Sequence, residues 1–105
     1  MKTKSFSLLV SDSVSSVSAG YIIPDKSNFI LTLAHGAGAG MNHPFMAALA
    51  KSLSEENIAT LRFNFPFIEQ KKGRPDLPAV AHKTIEAAIN NAHKKFPSVP
   101  LFVSG

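Results

Sequence analysis

The chain has 105 residues, of which 45% are hydrophobic and 17% are charged, which is the composition of one ordinary globular domain. It contains no cysteine, which excludes disulfide bonds as a source of stability. Eleven Lys and Arg against seven Asp and Glu give a net charge of +4, but the positive residues are scattered, which favours solubility over a nucleic-acid surface.

The N-terminal segment predicts a β-hairpin. Apolar and polar residues alternate in two runs, 6–10 and 17–23, and turn-forming residues lie between them. This period of two is typical of antiparallel strands with one solvated face. The first apolar run is about half the minimum length of a signal-peptide core, and no stretch approaches the roughly 18 apolar residues of a membrane span. The sequence therefore predicts a cytoplasmic protein without a membrane partner.

Strands and helices alternate in the rest of the chain. The nearly continuous apolar run 29–34 indicates a strand covered on both faces. A helix is predicted from Asn42 or His43, with Pro44 in its first turn and a buried stripe of Phe45, Leu49 and Leu53, to a stop at Asn57. A strand over 58–65, a polar loop, a helix from about Asp76 to Pro97 and a strand over 99–105 follow.

The predicted order is therefore β-β-β-α-β-α-β. Strands that alternate with helices imply right-handed crossovers, so we expect an α/β fold whose mostly parallel sheet is preceded by an antiparallel hairpin. The last strand is apolar, and a buried strand needs neighbours on both sides. The sequence thus predicts a single incomplete domain over 1–105, cut within the fold.

The segment with most chemical information is the glycine-rich run 35–40, directly after the strand 29–34. Small residues there let backbone N–H groups face a ligand, and such donors stabilise an oxyanion by about 3–4 kcal/mol each. A dinucleotide loop would need G-x-G-x-x-G, but Met41 or His43 stands at the sixth position. No Gly-Lys-Ser/Thr follows either. Phosphate binding by 36–40 is the weaker alternative.

These residues resemble a known family. His35-Gly36 after a strand and a later strand that ends in Ser104-Gly105 are similar to the N-terminal half of an α/β-hydrolase. The stretches 62–67 and 73–76 further resemble a dienelactone-hydrolase-like branch of uncharacterised bacterial hydrolases. In this family, the residue after His-Gly carries an oxyanion-hole donor, and the fifth strand runs into the G-x-S-x-G nucleophile elbow.

The resemblance implies specific roles. Ala37, and after it Gly38, would donate backbone N–H groups to the oxyanion, while His35 and Gly36 would shape the loop. Gly105 would be the first glycine of the elbow. The nucleophilic serine, the acid and the catalytic histidine would then lie outside the chain, and residues 1–105 alone would be inactive.

Further candidates follow from position. Asn64 at a strand end and Arg74 in the later loop are candidate substrate contacts, although Arg74 also suits a solvated loop. Arg62 is expected to pair with a carboxylate. His82 and His93 would lie roughly 16 Å apart along one helix and cannot share a metal. We expect neither a metal nor a cofactor.

The leading functional hypothesis is a serine hydrolase that cleaves an ester or similar acyl bond of a small molecule. The alternative is a non-catalytic module on the same scaffold that binds an acidic protein partner. In the family's strand order, the strand 29–34 lies between 58–65 and 101–104, so 101–104 would be an edge. Because an unpaired edge can pair with another chain, we expect self-association through 101–104.

Overall fold

A computed structural model describes residues 2–11, 15–34, 41, 43–69 and 78–104. Within them, a five-stranded sheet carries helices on both faces. The strands are β1 (Lys2–Ser11), β2 (Ser15–Ile23), β3 (Phe29–Leu33), β4 (Ile58–Phe63) and β5 (Leu101–Ser104), and the helices are α1 (Pro44–Glu55), α2 (Pro66–Glu69) and α3 (Pro78–Lys95). None of the described helices is long and apolar enough to cross a membrane. The cytoplasmic location stays a prediction.

The strand order confirms the predicted architecture. The order is β1-β2-β4-β3-β5, with β1 and β4 antiparallel to β2 and with β3 parallel to both β4 and β5. β3 therefore lies between β4 and β5, as the family's strand order implies. Leu33 at the end of β3 lies opposite Arg62 in β4 and Ser104 in β5. The carboxyl ends of these strands thus meet at one edge, where open α/β sheets bind ligands.

The larger core lies between the sheet and α3. Ala88 and Ala92 of α3 are fully buried, and their small side chains let the helix lie close to the strands. Tyr21 stacks on Phe6 and donates its hydroxyl to Oδ1 of Asn91, 2.6 Å away. The strand residues buried in this core are Leu8, Val17, Ala19, Tyr21, Ile30, Ala59, Leu61 and Phe63.

The smaller core, under α1, corrects one prediction. Met46 and Ala50 are buried there against Ile22 and Leu33, with Leu49 and Leu53 partly buried beside them. Phe45 is 67% exposed, so its predicted place in the buried stripe is wrong. The buried stripe is centred one position further along the helix, on Met46 and Ala50. These residues lie three positions before Leu49 and Leu53, so the four side chains share one face of the helix.

The ends of the helices follow the local sequence. His43 caps α1, since its Nδ1 accepts the Phe45 N–H at 3.2 Å, and Asn57 takes the left-handed φ of 63° that ends the helical path.

The short helix α2 replaces part of the predicted polar loop, with Pro66 at its first position. Phe67 in α2 is buried and stacks on Phe65. The predicted start of α3 at Asp76 lies outside the described residues.

Candidate functional site

The candidate site lies at the carboxyl ends of β3 and β4. The glycine-rich run follows β3 in the sequence, and the next described residue is Met41, shortly before α1. Six of the predicted site residues lie outside the described residues. They are the oxyanion donors Ala37 and Gly38, the loop-shaping residues His35 and Gly36, the substrate contact Arg74 and the elbow glycine Gly105. Their roles stay predictions.

Met41 is bound through its main chain to two side chains of the β4 end. Its N–H donates to Oδ1 of Asn64 at 2.8 Å, and its carbonyl oxygen accepts from Nη1 of Arg62 at 3.1 Å. Arg62 and Asn64 are two positions apart on an extended segment, so both side chains leave the same face of the sheet. The end of β4 therefore holds the two peptide groups that flank Met41.

The side chain of Met41 lies against β2. Met41 is only 5% exposed, and its Cε lies 3.3 Å from the position that a Cβ at Gly20 would occupy. Gly20 is directly opposite Arg62 in the β2–β4 pairing. The missing side chain of Gly20 thus leaves the space that Met41 fills beside Arg62.

Arg62 has a partner that the sequence did not predict. Its hydrogen bond goes to a backbone carbonyl, where the sequence predicted a carboxylate. Burial lowers the pKa of the Arg62 guanidinium from its usual value. Arginine nevertheless stays charged at neutral pH. Its Nε is buried and has no hydrogen-bond partner within the described part of the chain.

Asn64 is held through both its backbone and its side chain. Its backbone N–H donates to the Ser18 carbonyl at 2.9 Å, which extends the β2–β4 contact beyond the end of β4. Its side-chain Oδ1 accepts the Met41 N–H. The substrate contact predicted for Asn64 stays a prediction, while the observed hydrogen bond shows what it does within the fold.

The site is thus built from four residues, Gly20, Met41, Arg62 and Asn64. Sequence reasoning singled out Arg62 and Asn64. An isolated glycine in an alternating strand indicates a close approach of another group, so Gly20 carried a signal that could have been used. Met41 carried none, because it is bound through its backbone. Among the described residues, no three His, Asp or Glu side chains come together as metal ligands. The described part of the site thus fixes the backbone of Met41, the residue that directly follows the glycine-rich run in the sequence.

Comparisons with known proteins agree with this architecture. Residues 27–105 match the model of the alpha/beta hydrolase domain. An alpha-beta serine hydrolase homologue from Coxiella burnetii has a similar fold, with a TM-score of 0.79 and 20% identity over 98% of this chain and 51% of that one. A dienelactone hydrolase from Anabaena variabilis has a TM-score of 0.77 and 18% identity over 97% of this chain and 50% of that one.

A third similar structure is XC6422 from Xanthomonas campestris, described as a serine hydrolase without a lid, with a TM-score of 0.77 and 17% identity over 98% of this chain and 50% of that one. No curated protein matches the chain. The chain spans about half the length of the three solved structures. Because the domain match covers residues 27–105, well over half of the sequence, the chain belongs to the alpha/beta hydrolase domain family.

Proposed function

We propose that residues 1–105 are the N-terminal half of a serine hydrolase that cleaves an ester or similar acyl bond of a small molecule. The observation that supports this most is the family match over 27–105, which includes the glycine-rich run after β3. The chain also spans about half of its structural relatives, which supports a catalytic serine, acid and histidine beyond Gly105. Residues 1–105 alone are then inactive.

In this proposal, the histidine of the other half takes the proton of the elbow serine, whose oxygen attacks the acyl carbon, and the carbonyl oxygen becomes an oxyanion. The histidine gives the proton to the leaving alcohol as the tetrahedral intermediate collapses, and water then hydrolyses the acyl-enzyme, which releases the acid and restores the serine. The backbone N–H of Ala37, with Gly38 as second candidate, donates to that oxyanion. His35 and Gly36 shape the run, and Gly105 opens the elbow. The chain supplies electrostatic stabilisation, and the absent half supplies the nucleophile.

A matched pair of variants tests the role of Ala37 in the protein encoded by the complete reading frame. Ala37→Pro removes the backbone N–H, whereas Ala37→Gly keeps it. We expect the proline variant to react with a fluorophosphonate at least about 100-fold more slowly, as when an oxyanion donor is lost, and the glycine variant to stay within a few-fold of the unmodified protein. Equal rates for both variants would refute the donor role.

Arg74 is kept as a proposed substrate contact. Arg74→Ala should raise KM for an ester substrate with little change in kcat, because a contact made equally in the ground and transition states affects binding alone. The substrate contact of Asn64 is kept as well, and its hydrogen bond to Met41 supports a positioning role in addition.

A second function is favoured by a groove between β1 and α3. The groove holds a cavity of about 240 Å³ lined by Lys4, Phe6, Tyr21, Asn91, Lys94 and Lys95. Three lysines beside aromatic side chains suit an acidic protein segment, as the alternative hypothesis requires. A glutamate-rich peptide should bind residues 1–105 at low salt, and Lys4→Gln with Lys95→Gln should weaken binding more than the remote pair Lys26→Gln and Lys51→Gln. Equal weakening of peptide binding by the two pairs of substitutions would show that the attraction is non-specific and would contradict a site in the groove.

We also propose that the chain self-associates through 101–104. β5 pairs with β3 and is one of the two outermost described strands of the sheet, and Phe102 and Val103 are each 54% exposed. Light scattering should show dimers or larger species for residues 1–105, and Val103→Lys should shift them toward monomer because charge on an edge strand opposes pairing. A monomer for the unmodified chain would contradict the proposal.

A further inference from the structure

We infer that Gly20, Arg62 and Asn64 are positioning residues that fix the C-terminal end of the oxyanion-hole segment by holding Met41. We name this group, with Met41 itself, the Met41 anchor. The inference rests on the proposed function, because the segment that it positions is the one proposed to bind the oxyanion. None of the three residues needs to touch the substrate.

The first step is the occupation of both backbone groups of Met41. The N–H belongs to the peptide group before Met41, and the carbonyl belongs to the peptide group after it. Asn64 Oδ1 accepts from the first at 2.8 Å, and Arg62 Nη1 donates to the second at 3.1 Å. Two consecutive peptide groups are thereby oriented by one strand end, and the bond from the charged guanidinium is of the stronger kind.

The second step concerns the packing of the Met41 side chain against β2. Met41 is buried, and the position of a Gly20 Cβ lies 3.3 Å from its Cε, which is tighter than ordinary van der Waals contact. A Cβ at position 20 would require Cε of Met41 to move by a few tenths of an ångström, and a side chain larger than alanine would take the space that Met41 fills. Since Gly20 lies directly opposite Arg62, such a side chain would also crowd the Arg62 side chain that donates to the Met41 carbonyl.

The third step is the short distance along the chain. Only the six residues 35–40 separate Ala34 from Met41. At the other end of this run, β3 is hydrogen-bonded to β4 and β5 up to Leu33. A segment this short transmits a shift of either end to its interior, and a displacement of about 1 Å in a catalytic group can cost about 100-fold in rate. An anchored Met41 therefore preserves the positions of the proposed donors.

The anchor is tested first on residues 1–105, without any activity. Asn64→Leu removes the acceptor, while Asn64→Asp keeps an acceptor of the same size. We expect amide exchange at Met41 to become about tenfold faster in the leucine variant and to stay near the unmodified rate in the aspartate variant. The Leu61 amide, within β4, serves as the internal reference. Unchanged exchange at Met41 in Asn64→Leu would overturn the anchor.

The second test uses the protein encoded by the complete reading frame. Arg62→Met should lower kcat for an ester about 10- to 100-fold with KM nearly unchanged, and Arg62→Lys should restore part of kcat because lysine can donate one hydrogen bond. Gly20→Val should lower kcat in the same way. Wild-type kcat in a folded Arg62→Met protein would overturn the positioning role, as would equal kcat for the methionine and lysine variants.

The two proposals fail differently. If the complete protein neither hydrolyses esters nor reacts with a fluorophosphonate, the proposed function falls and the positioning role falls with it, although Met41 exchange still reports whether the anchor exists. If the protein is active but the variants leave kcat unchanged, only the positioning role falls. Faster Met41 exchange together with a lower kcat supports both.

Discussion

The hydrogen bond between Tyr21 and Asn91 offers a quantitative test of the larger core. Tyr21 is 2% exposed, and its hydroxyl donates to Asn91 Oδ1 at 2.6 Å. Tyr21→Phe removes the donor and keeps the ring that stacks on Phe6. A net hydrogen bond contributes about 0.5–1.5 kcal/mol, and Asn91 loses a partner, so we expect the free energy of unfolding to fall by about 1–1.5 kcal/mol at pH 7.

The same residue makes stability depend on pH. Burial raises the pKa of Tyr21 from 10.0 to about 12, so between these values the folded chain keeps a proton that the unfolded chain releases. The stabilisation is complete below pH 10 and is lost as the pH rises toward 12. Two pKa units correspond to at most about 2.7 kcal/mol of stability, a loss that is complete only when the pH reaches about 12.

Urea unfolding of residues 1–105 and of Tyr21→Phe at pH 7, 9, 10 and 11 measures both effects. The phenylalanine variant should be less stable than the unmodified chain at pH 7. The difference in stability should shrink above pH 10, because only the unmodified chain has a phenol that stays protonated when folded and ionises when unfolded. Groups common to both proteins cancel in the difference. A difference that stays constant through pH 11, or a variant as stable as the unmodified chain at pH 7, would refute the reasoning.

Three further changes probe the packing, each measured by the midpoint of urea unfolding. Leu61→Ala should cost about 2–5 kcal/mol because Leu61 is completely buried, and a loss below about 1 kcal/mol would contradict this. Ala92→Leu should cost about 1–3 kcal/mol by overpacking α3 against the sheet, whereas the exposed Phe45→Leu should be nearly neutral. Asn57→Val should destabilise by about 1–2 kcal/mol because φ is 63°, and Asn57→Gly should not.

Much of the fold follows from the sequence because its periodicities are long. Two alternating runs predict the hairpin, and the apolar run 29–34 predicts a strand covered on both faces. The order of the strands came from the family resemblance, since periodicity does not say which strands are neighbours. Phe45 was misplaced because two adjacent helical stripes are both apolar. The helix α2 was missed because four residues are too few to show a period.

Less of the candidate site could be predicted. The strand-end position singled out Arg62 and Asn64, but their common partner is the backbone of Met41, which side-chain patterns do not report. The backbone partner of Arg62 was therefore not predicted, and the expected carboxylate partner does not lie among the described residues. Gly20 was not singled out either, although a glycine within an alternating strand indicates that another group approaches the backbone closely.

The central claim, that this chain is half of a serine hydrolase, is tested most directly by locating a fluorophosphonate adduct. The protein encoded by the complete reading frame and residues 1–105 are treated with the reagent, digested and mapped by mass spectrometry. We expect one adduct in the complete protein, on a serine two positions beyond Gly105, and none in residues 1–105. An unlabelled complete protein, or an adduct within residues 1–105, would contradict the account.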